Sequence, residues 1–203
     1  MTPAARSWQE LLADGRRRLE RAGIDEADNK LRWVVAHLLD CGLLAVLRHL
    51  PDFPAPDQAD RFAAALARLE KDEPVQYVVG ETDFMGLRIR CDARALIPRP
   101  ETEELVSCAE ESLRGRERPV VVDACTGTGC IACALAKRVP DARVVATDLS
   151  AAALDLAREN AQALGAAVEF RQTDLLAGLA ADSADLVVSN PPYVATAEIA
   201  RLD

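Results

Sequence analysis

The run Val120 to Ala124 is apolar but for Asp123, and it empties at once into a glycine loop, Asp123-Ala-Cys-Thr-Gly127-Thr-Gly129. A β-branched run of this kind reads as a strand with both faces covered, and glycines directly after it let the backbone turn sharply into a helix. From there the patterns alternate: a helix over 129–138, a strand over 143–146, a helix over 151–164, then strands over 168–170 and 185–188. Strands joined through helices of about ten residues pair in parallel. The expected fold class is therefore α/β, a doubly wound parallel sheet, and such sheets place ligands at the carboxyl ends of their strands.

The chain before this has a different texture. Apolar residues recur at helical spacing over 4–22, 25–40 and 57–72, as Trp8, Leu11, Leu12 and Leu19, then Leu31, Val34, Val35 and Leu38, then Phe62, Ala65, Leu66 and Leu69. Three such helices can bury one another, so a small helical domain is expected over 1–74. Gly23 and Gly42 stand where C-terminal caps belong, Asp25 and Asp57 where N-caps belong. From Val75, β-branched and aromatic residues alternate around Gly80 and Gly86, which reads as a β-hairpin linker over 75–97. The α/β domain then spans 98–203 and opens with a helix over 102–113.

Composition narrows the partners. Half of the 203 residues are apolar, as in soluble globular proteins, and the net charge is −9. An acidic chain is poorly matched to a phosphate backbone, so direct nucleic-acid binding is not expected. The longest apolar region, Trp33 to Leu47, is broken by His37, Asp40 and Cys41 and falls short of the roughly 20 residues a membrane span needs. With no membrane segment and no leader pattern in MTPAARSWQELL, a cytoplasmic protein with six reduced cysteines is expected.

The glycine loop brings backbone and helix N–H groups close to a ligand, and Asp148 ends the next strand, where a carboxylate can accept both hydroxyls of a ribose. The plainer reading is that Asp148 and Ser150 cap the following helix. Gly127-x-Gly129-x-x-Ala132 also matches the relaxed dinucleotide fingerprint. Asp123 opposes a dinucleotide: a carboxylate beside the loop repels a pyrophosphate but can receive the ammonium of an aminoacyl ligand. S-adenosylmethionine carries that ammonium and no phosphate.

A second constellation is Asn190-Pro191-Pro192-Tyr193, directly after the last strand. Paired prolines hold a rigid extended turn where ligands bind. The Asn190 amide oxygen can accept one N–H of a planar –NH2 group, the Pro191 carbonyl the other, and Tyr193 can cover the flat face.

NPPY after the fourth strand of a glycine-loop domain resembles the amino-methyltransferases. The segment Glu73-Pro-Val-Gln-Tyr-Val-Val-Gly80, Phe84 and Leu96-Ile-Pro-Arg-Pro-Glu-Thr-Glu103 is similar to the stretch before the catalytic domain of the HemK-type family, the peptide chain release factor glutamine methyltransferases. The resemblance implies a Rossmann-like methyltransferase domain after a helical substrate-recognition domain, with S-adenosylmethionine as methyl donor and a release factor as partner. By the same resemblance Asp123, Cys125, Thr126, Gly127, Thr128 and Gly129 surround the methionine part of the cofactor. Asp148 takes the ribose, Asp174 and Leu175 border the adenine, and Asn190 also lies against the cofactor. Asn190, Pro191, Pro192 and Tyr193 hold the substrate glutamine, with Asn190, Pro191 and Tyr193 as catalytic residues. Two positions depart from the family pattern. Cys125 replaces a customary glycine, so its φ is expected below zero, and Leu175 replaces a common aromatic and can pack on adenine without stacking.

Two other readings stay open, a nucleic-acid amino-methyltransferase and an inactive nucleotide-binding fragment. Cys125, Cys130 and Cys133 have the spacing of three iron-sulfur ligands, but the last two fall on a helix behind the loop and no fourth ligand is placed, so no metal is expected. His37 and His49 lack a partner motif. A doubly wound methyltransferase continues for about three more strands after NPPY. Ten residues follow Tyr193 here. The chain is accordingly expected to be incomplete, with an open edge at 186–189 that favours association and weak or no turnover.

Overall fold

The computed structural model describes residues 6–192 and shows two compact units, the first ending at Gly80 and the second beginning at Glu81.

The first unit is helical: α1 (Trp8–Arg21), α2 (Ala27–Leu38), α3 (Val46–His49), α4 (Pro56–Leu69) and α5 (Val75–Val79). Ser7 opens α1 with a reciprocal cap, its hydroxyl accepting from the Glu10 N–H while the Glu10 carboxylate accepts from the Ser7 N–H. Trp8, Leu19, Leu31, Val35, Phe62, Leu66 and Leu69 form its core. Trp8 and Phe62 meet edge to face at 5.8 Å between ring centres. Arg68 folds the chain back on itself, pairing with Glu73 and donating to the carbonyls of Tyr77 and Val78.

Several local expectations are corrected here. Asp25 and Asp57 are not caps: α2 follows Glu26, at φ +54°, and α4 follows Ala55 with proline in its first turn. Gly23 does follow α1 with φ +75°, but after α2 the left-handed residue is Asp40, at φ +47°, and not Gly42. Residues 75–79 are helix instead of hairpin, because Pro74 starts a helical turn that Gly80, at φ +84°, ends.

The second unit begins with the hairpin β1 (Glu81–Phe84) and β2 (Leu87–Arg90). Its central residues Met85 and Gly86 both have positive φ, +52° and +76°, the turn whose twist matches paired strands. Then come α6 (Glu101–Ser112), β3 (Val120–Ala124), α7 (Cys130–Arg138), β4 (Arg143–Asp148), α8 (Ala151–Leu164), β5 (Val168–Gln172) and β6 (Leu186–Ser189). The sheet is parallel, in the order β5-β4-β3-β6, and α7 packs on both α6 and α8. The chain thus reverses its direction of winding at β3, with β6 on the far side from β4, and such a switch point leaves a crevice at the strand ends. Register finishes the placement: Ala124 pairs with both Thr147 and Ser189, and Asp148 with Gln172. Cys125, Asp148 and Asn190 therefore leave the sheet at one level.

Asn160 of α8 is fully buried and joins three segments. Its Oδ1 accepts from the Arg90 N–H (2.8 Å), and its Nδ2 donates to the Arg90 carbonyl (3.2 Å) and to the Thr128 carbonyl in the glycine loop (2.9 Å). A buried polar group stripped of its partner costs about 1–3 kcal/mol. Asn160→Leu is expected to lower stability by about 2–4 kcal/mol in urea denaturation, and a loss well under 1 kcal/mol would show that other groups take over these bonds.

Candidate active site

Asp123, at the end of β3, is completely buried. Its Oδ2 accepts from the Thr126 hydroxyl (2.6 Å) and from the Ala132 N–H in the first turn of α7 (3.1 Å), while Oδ1 has no hydrogen-bond partner. Burial pushes its carboxyl up to about 7, against the two hydrogen bonds and with help from the charge of Asp148. The direct ammonium contact expected of Asp123 is thus not offered, since the carboxylate faces the inside of the loop. It ties the loop to the helix.

The loop follows from this anchor. Within Asp123–Gly129, Cys125 and Gly127 are half-buried and the other residues are buried. Gly127 donates its N–H to Asp148 Oδ2 (2.9 Å), and the Thr126 N–H bonds the Thr147 carbonyl (2.9 Å), so the loop is strapped to β4. Asp148 Oδ1 accepts from the Ser150 N–H (2.9 Å), and Ser150 caps α8 through the Ala153 N–H. Asp148 therefore performs the helix-start role read from sequence as well as lining the strand ends. Gly129 serves packing: a Cβ there would lie 2.9 Å from Ala157 Cβ on α8. Thr126 and Thr128 also point inward, Thr126 by its hydroxyl and Thr128 by its carbonyl on Asn160. Of the residues expected to surround the cofactor's methionine part, Cys125 and Gly127 reach the crevice.

Across β3, Ser189 donates its hydroxyl to the Ala124 carbonyl (2.7 Å) and Asn190 donates Nδ2 to the Thr102 hydroxyl (2.9 Å). Pro191 and Pro192 follow outside any helix or strand, and Tyr193 lies outside the described residues. The Thr147 hydroxyl donates to the Leu175 carbonyl (2.8 Å), which holds the Asp174–Leu175 turn at the mouth of β4, with the Leu175 side chain 54% exposed. Asp174 is near enough to Cys125 to help raise its thiol, behind burial and Asp148. Thr102, Ser189 and Asn160 were not singled out as site residues from sequence. Thr102 stood inside the IPRPETE block, where its only signal was membership of that block.

Cys130 and Cys133 are buried in α7, and burial pushes both thiols up to about 12. Among the described residues, no three histidine, cysteine or acidic side chains gather as a metal site, and no helix is long and apolar enough to cross a membrane.

The PrmC N-terminal domain model matches residues 10–80, and the methyltransferase small domain model matches residues 101–201. A release factor glutamine methyltransferase of Deinococcus radiodurans is 43% identical over 195 residues, covering 96% of this chain and 70% of the relative. The chain belongs to the release factor glutamine methyltransferase family. Relatives of the same name from Cereibacter sphaeroides and Chlorobaculum tepidum are 45% and 41% identical, over 91% and 88% of this chain. The chain spans about two thirds of their length, 66% and 65%. A solved ribosomal protein L11 methylase of Lactobacillus delbrueckii subsp. bulgaricus is 33% identical over 50% of this chain and 52% of its own, with a TM-score of 0.41, a likeness too partial to add to the family assignment.

Both departures from the family pattern fall where L-residues are strained. Cys125 has φ +61° and Leu175 φ +48°, so the expectation of a negative φ at Cys125 is overturned. The cause is the loop, whose straps to Thr147 and Asp148 demand a left-handed turn at 125 whichever residue is there. That conformation costs an L-residue about 1–2 kcal/mol, partly offset in a glycine variant by the entropy of its unfolded chain. Cys125→Gly is therefore expected to raise stability by up to about 1 kcal/mol in denaturant titration, and a clear loss would mean the thiol's packing outweighs the strain.

Asp123 supplies a pH prediction. Its carboxyl holds a proton to about 7 in the folded chain, whereas an unfolded aspartate releases it near 4. Between these values the folded state binds more protons, so this group's contribution to stability declines as pH rises from about 4 to about 7 and is level above. Asp123→Asn is expected to remove that decline. Stability curves of the two proteins that run parallel through this window would contradict it.

Proposed function

We propose that this chain binds S-adenosylmethionine at the carboxyl ends of β3 and β4 and transfers its methyl group to the side-chain amide nitrogen of a protein glutamine. The substrate is a glutamine of a peptide chain release factor, as the names of its relatives suggest, taken here to be that of the Gly-Gly-Gln loop, and the setting is the cytoplasm. The observation that carries the reading is Asn190: it leaves the sheet level with Cys125 and Asp148, and its Nδ2 is turned to Thr102. The residues suit this donor, because Cys125 and Gly127 bring the loop to the crevice and Asp148 adds a strand-end carboxylate beside them. In this reading the helical unit contacts the release factor.

The sulfonium, when bound, supplies a methyl group already activated for displacement, so the protein must mainly present a nucleophile. An amide nitrogen is a poor one because its lone pair is delocalised into the carbonyl. Asn190 Oδ1 accepts one of its N–H groups and the Pro191 carbonyl the other, which aims the nitrogen and increases its electron density. The bound donor would supply the methyl by exchanging its sulfur–methyl bond for the new N–CH3 bond, with the electron pair left on sulfur. The nitrogen then releases a proton to solvent, which balances the charge. Asp148 holds the loop through Gly127 and presents its outer lone pairs to a ribose. Pro192 stiffens the turn, and the role of covering the substrate amide is assigned to Tyr193, outside the described residues.

Incubation with labelled S-adenosylmethionine and a release factor, followed by mapping of the labelled peptide, is the direct test. Asn190→Ala is expected to lower turnover about 10²–10³-fold while leaving the cofactor dissociation constant within about threefold, as for loss of a preorganised polar contact to the reacting group. Calorimetry is expected to show tighter binding of S-adenosylmethionine than of NAD. Full turnover by the variant would sink the assignment of Asn190, and tighter NAD binding would revive the dinucleotide reading.

A further inference from the structure

The buried stripe of α6 is Thr102, Val106 and Ala109, continued by Leu113 just beyond the helix. Three of the four are apolar and one carries a hydroxyl. Packing alone asks for no oxygen at the first position, where a valine of nearly the same volume would fill the space, and the hydroxyl of a residue only 5% exposed must find a partner or cost free energy. The partner it finds is Asn190 Nδ2, at 2.9 Å and 88 residues away in the chain. The adjacent Glu103 accepts the Met85 N–H at 2.8 Å, so the same helical turn also holds the tip of the β1–β2 hairpin. On the other side of Asn190, Ser189 is pinned to Ala124 by its hydroxyl. The asparagine is thus fixed from its backbone side by the sheet and from its side-chain side by α6.

We propose that Thr102 is a positioning residue for methyl transfer: it accepts Nδ2 of Asn190 and so holds the asparagine amide with its acceptor oxygen turned to the substrate –NH2. This rests on the reading of Asn190 given above. An amide rotated by half a turn presents donors to a donor, and an amide free to rotate spends part of its time that way. The Thr102 hydroxyl contact therefore acts on the chemical step and leaves the ground-state affinity for the cofactor alone.

The test compares Thr102→Val, Thr102→Ala and Thr102→Ser with Asn190→Ala and the Asn190→Ala/Thr102→Val pair, reading kcat and KM for the release factor, cofactor affinity by calorimetry and the melting transition. Loss of one neutral hydrogen bond to the positioned group predicts a kcat about tenfold lower for Thr102→Val and for Thr102→Ala. Cofactor affinity is expected to stay within about twofold, and Thr102→Ser to recover most of the rate. Because Thr102 acts through Asn190, the pair is expected to be no slower than Asn190→Ala alone. Unchanged kcat in the valine variant, a serine variant as slow as the valine one, or rate losses that multiply in the pair would each overturn the positioning role while leaving Asn190 in place. A fully active Asn190→Ala would instead remove the functional reading beneath it, and the positioning role with it.

Discussion

A carboxylate that water does not reach sits at the centre of the second unit. Asp123 ends β3 inside the protein, and the cost of burying it is met only in part by the Thr126 hydroxyl and the Ala132 N–H. Those two bonds make the glycine loop and the first turn of α7 one object. With the loop held from below, Gly127 can reach Asp148 and Thr126 the carbonyl of Thr147, and the loop becomes continuous with the end of β4. The left-handed turn at Cys125 and the closeness of Gly129 to α8 follow from the same closure. A loop built in this way arrives preformed, which reduces the ordering that ligand binding must otherwise supply.

The residues before the sheet perform an equivalent task for the other half of the crevice. The block Leu96–Glu103 contributes two adjacent side chains to tertiary contacts, Thr102 to Asn190 and Glu103 to the hairpin turn at Met85. Asn160 joins the far end of the same hairpin to the glycine loop through Arg90 and Thr128. The hairpin, the loop and the NPP turn are thus connected by three buried or half-buried polar side chains. Each is expensive to leave unpaired in a low-dielectric interior, so these contacts specify one arrangement among many that would bury a similar apolar area.

Much of this was legible without coordinates, for reasons that can be named. Strand and helix periods differ, so the alternation after Val120 announced a parallel sheet, and the structure has it with the order β5-β4-β3-β6. The positions of Asp148 and Asn190 at strand ends followed once those strands were placed. Boundaries set by local competition were less legible. Residues 75–79 have a strand-like composition but form a turn of helix that Pro74 opens and Gly80 ends, with Arg68 donating to the carbonyls of Tyr77 and Val78. Asp25 and Asp57 had the chemistry of caps, yet the helices start where α-helical packing of Leu31 and Phe62 puts them.

The division between the two sources of order is sharpest at the strand ends. The chain's own chemistry determined which residues gather there, because hydrophobic period, glycine punctuation and paired prolines are properties of short segments. Which way those residues face was decided by hydrogen bonds made in the folded chain. Asp123 turns inward onto the Thr126 hydroxyl and the Ala132 N–H of the loop and helix that follow it. Cys125 takes a left-handed turn because partners on β4 require it. Asn190 turns its nitrogen to Thr102, 88 residues earlier, because a buried hydroxyl and a side-chain amide each satisfy the other. Hydrogen bonds of this kind join segments distant in sequence, and no local pattern encodes the partner's position.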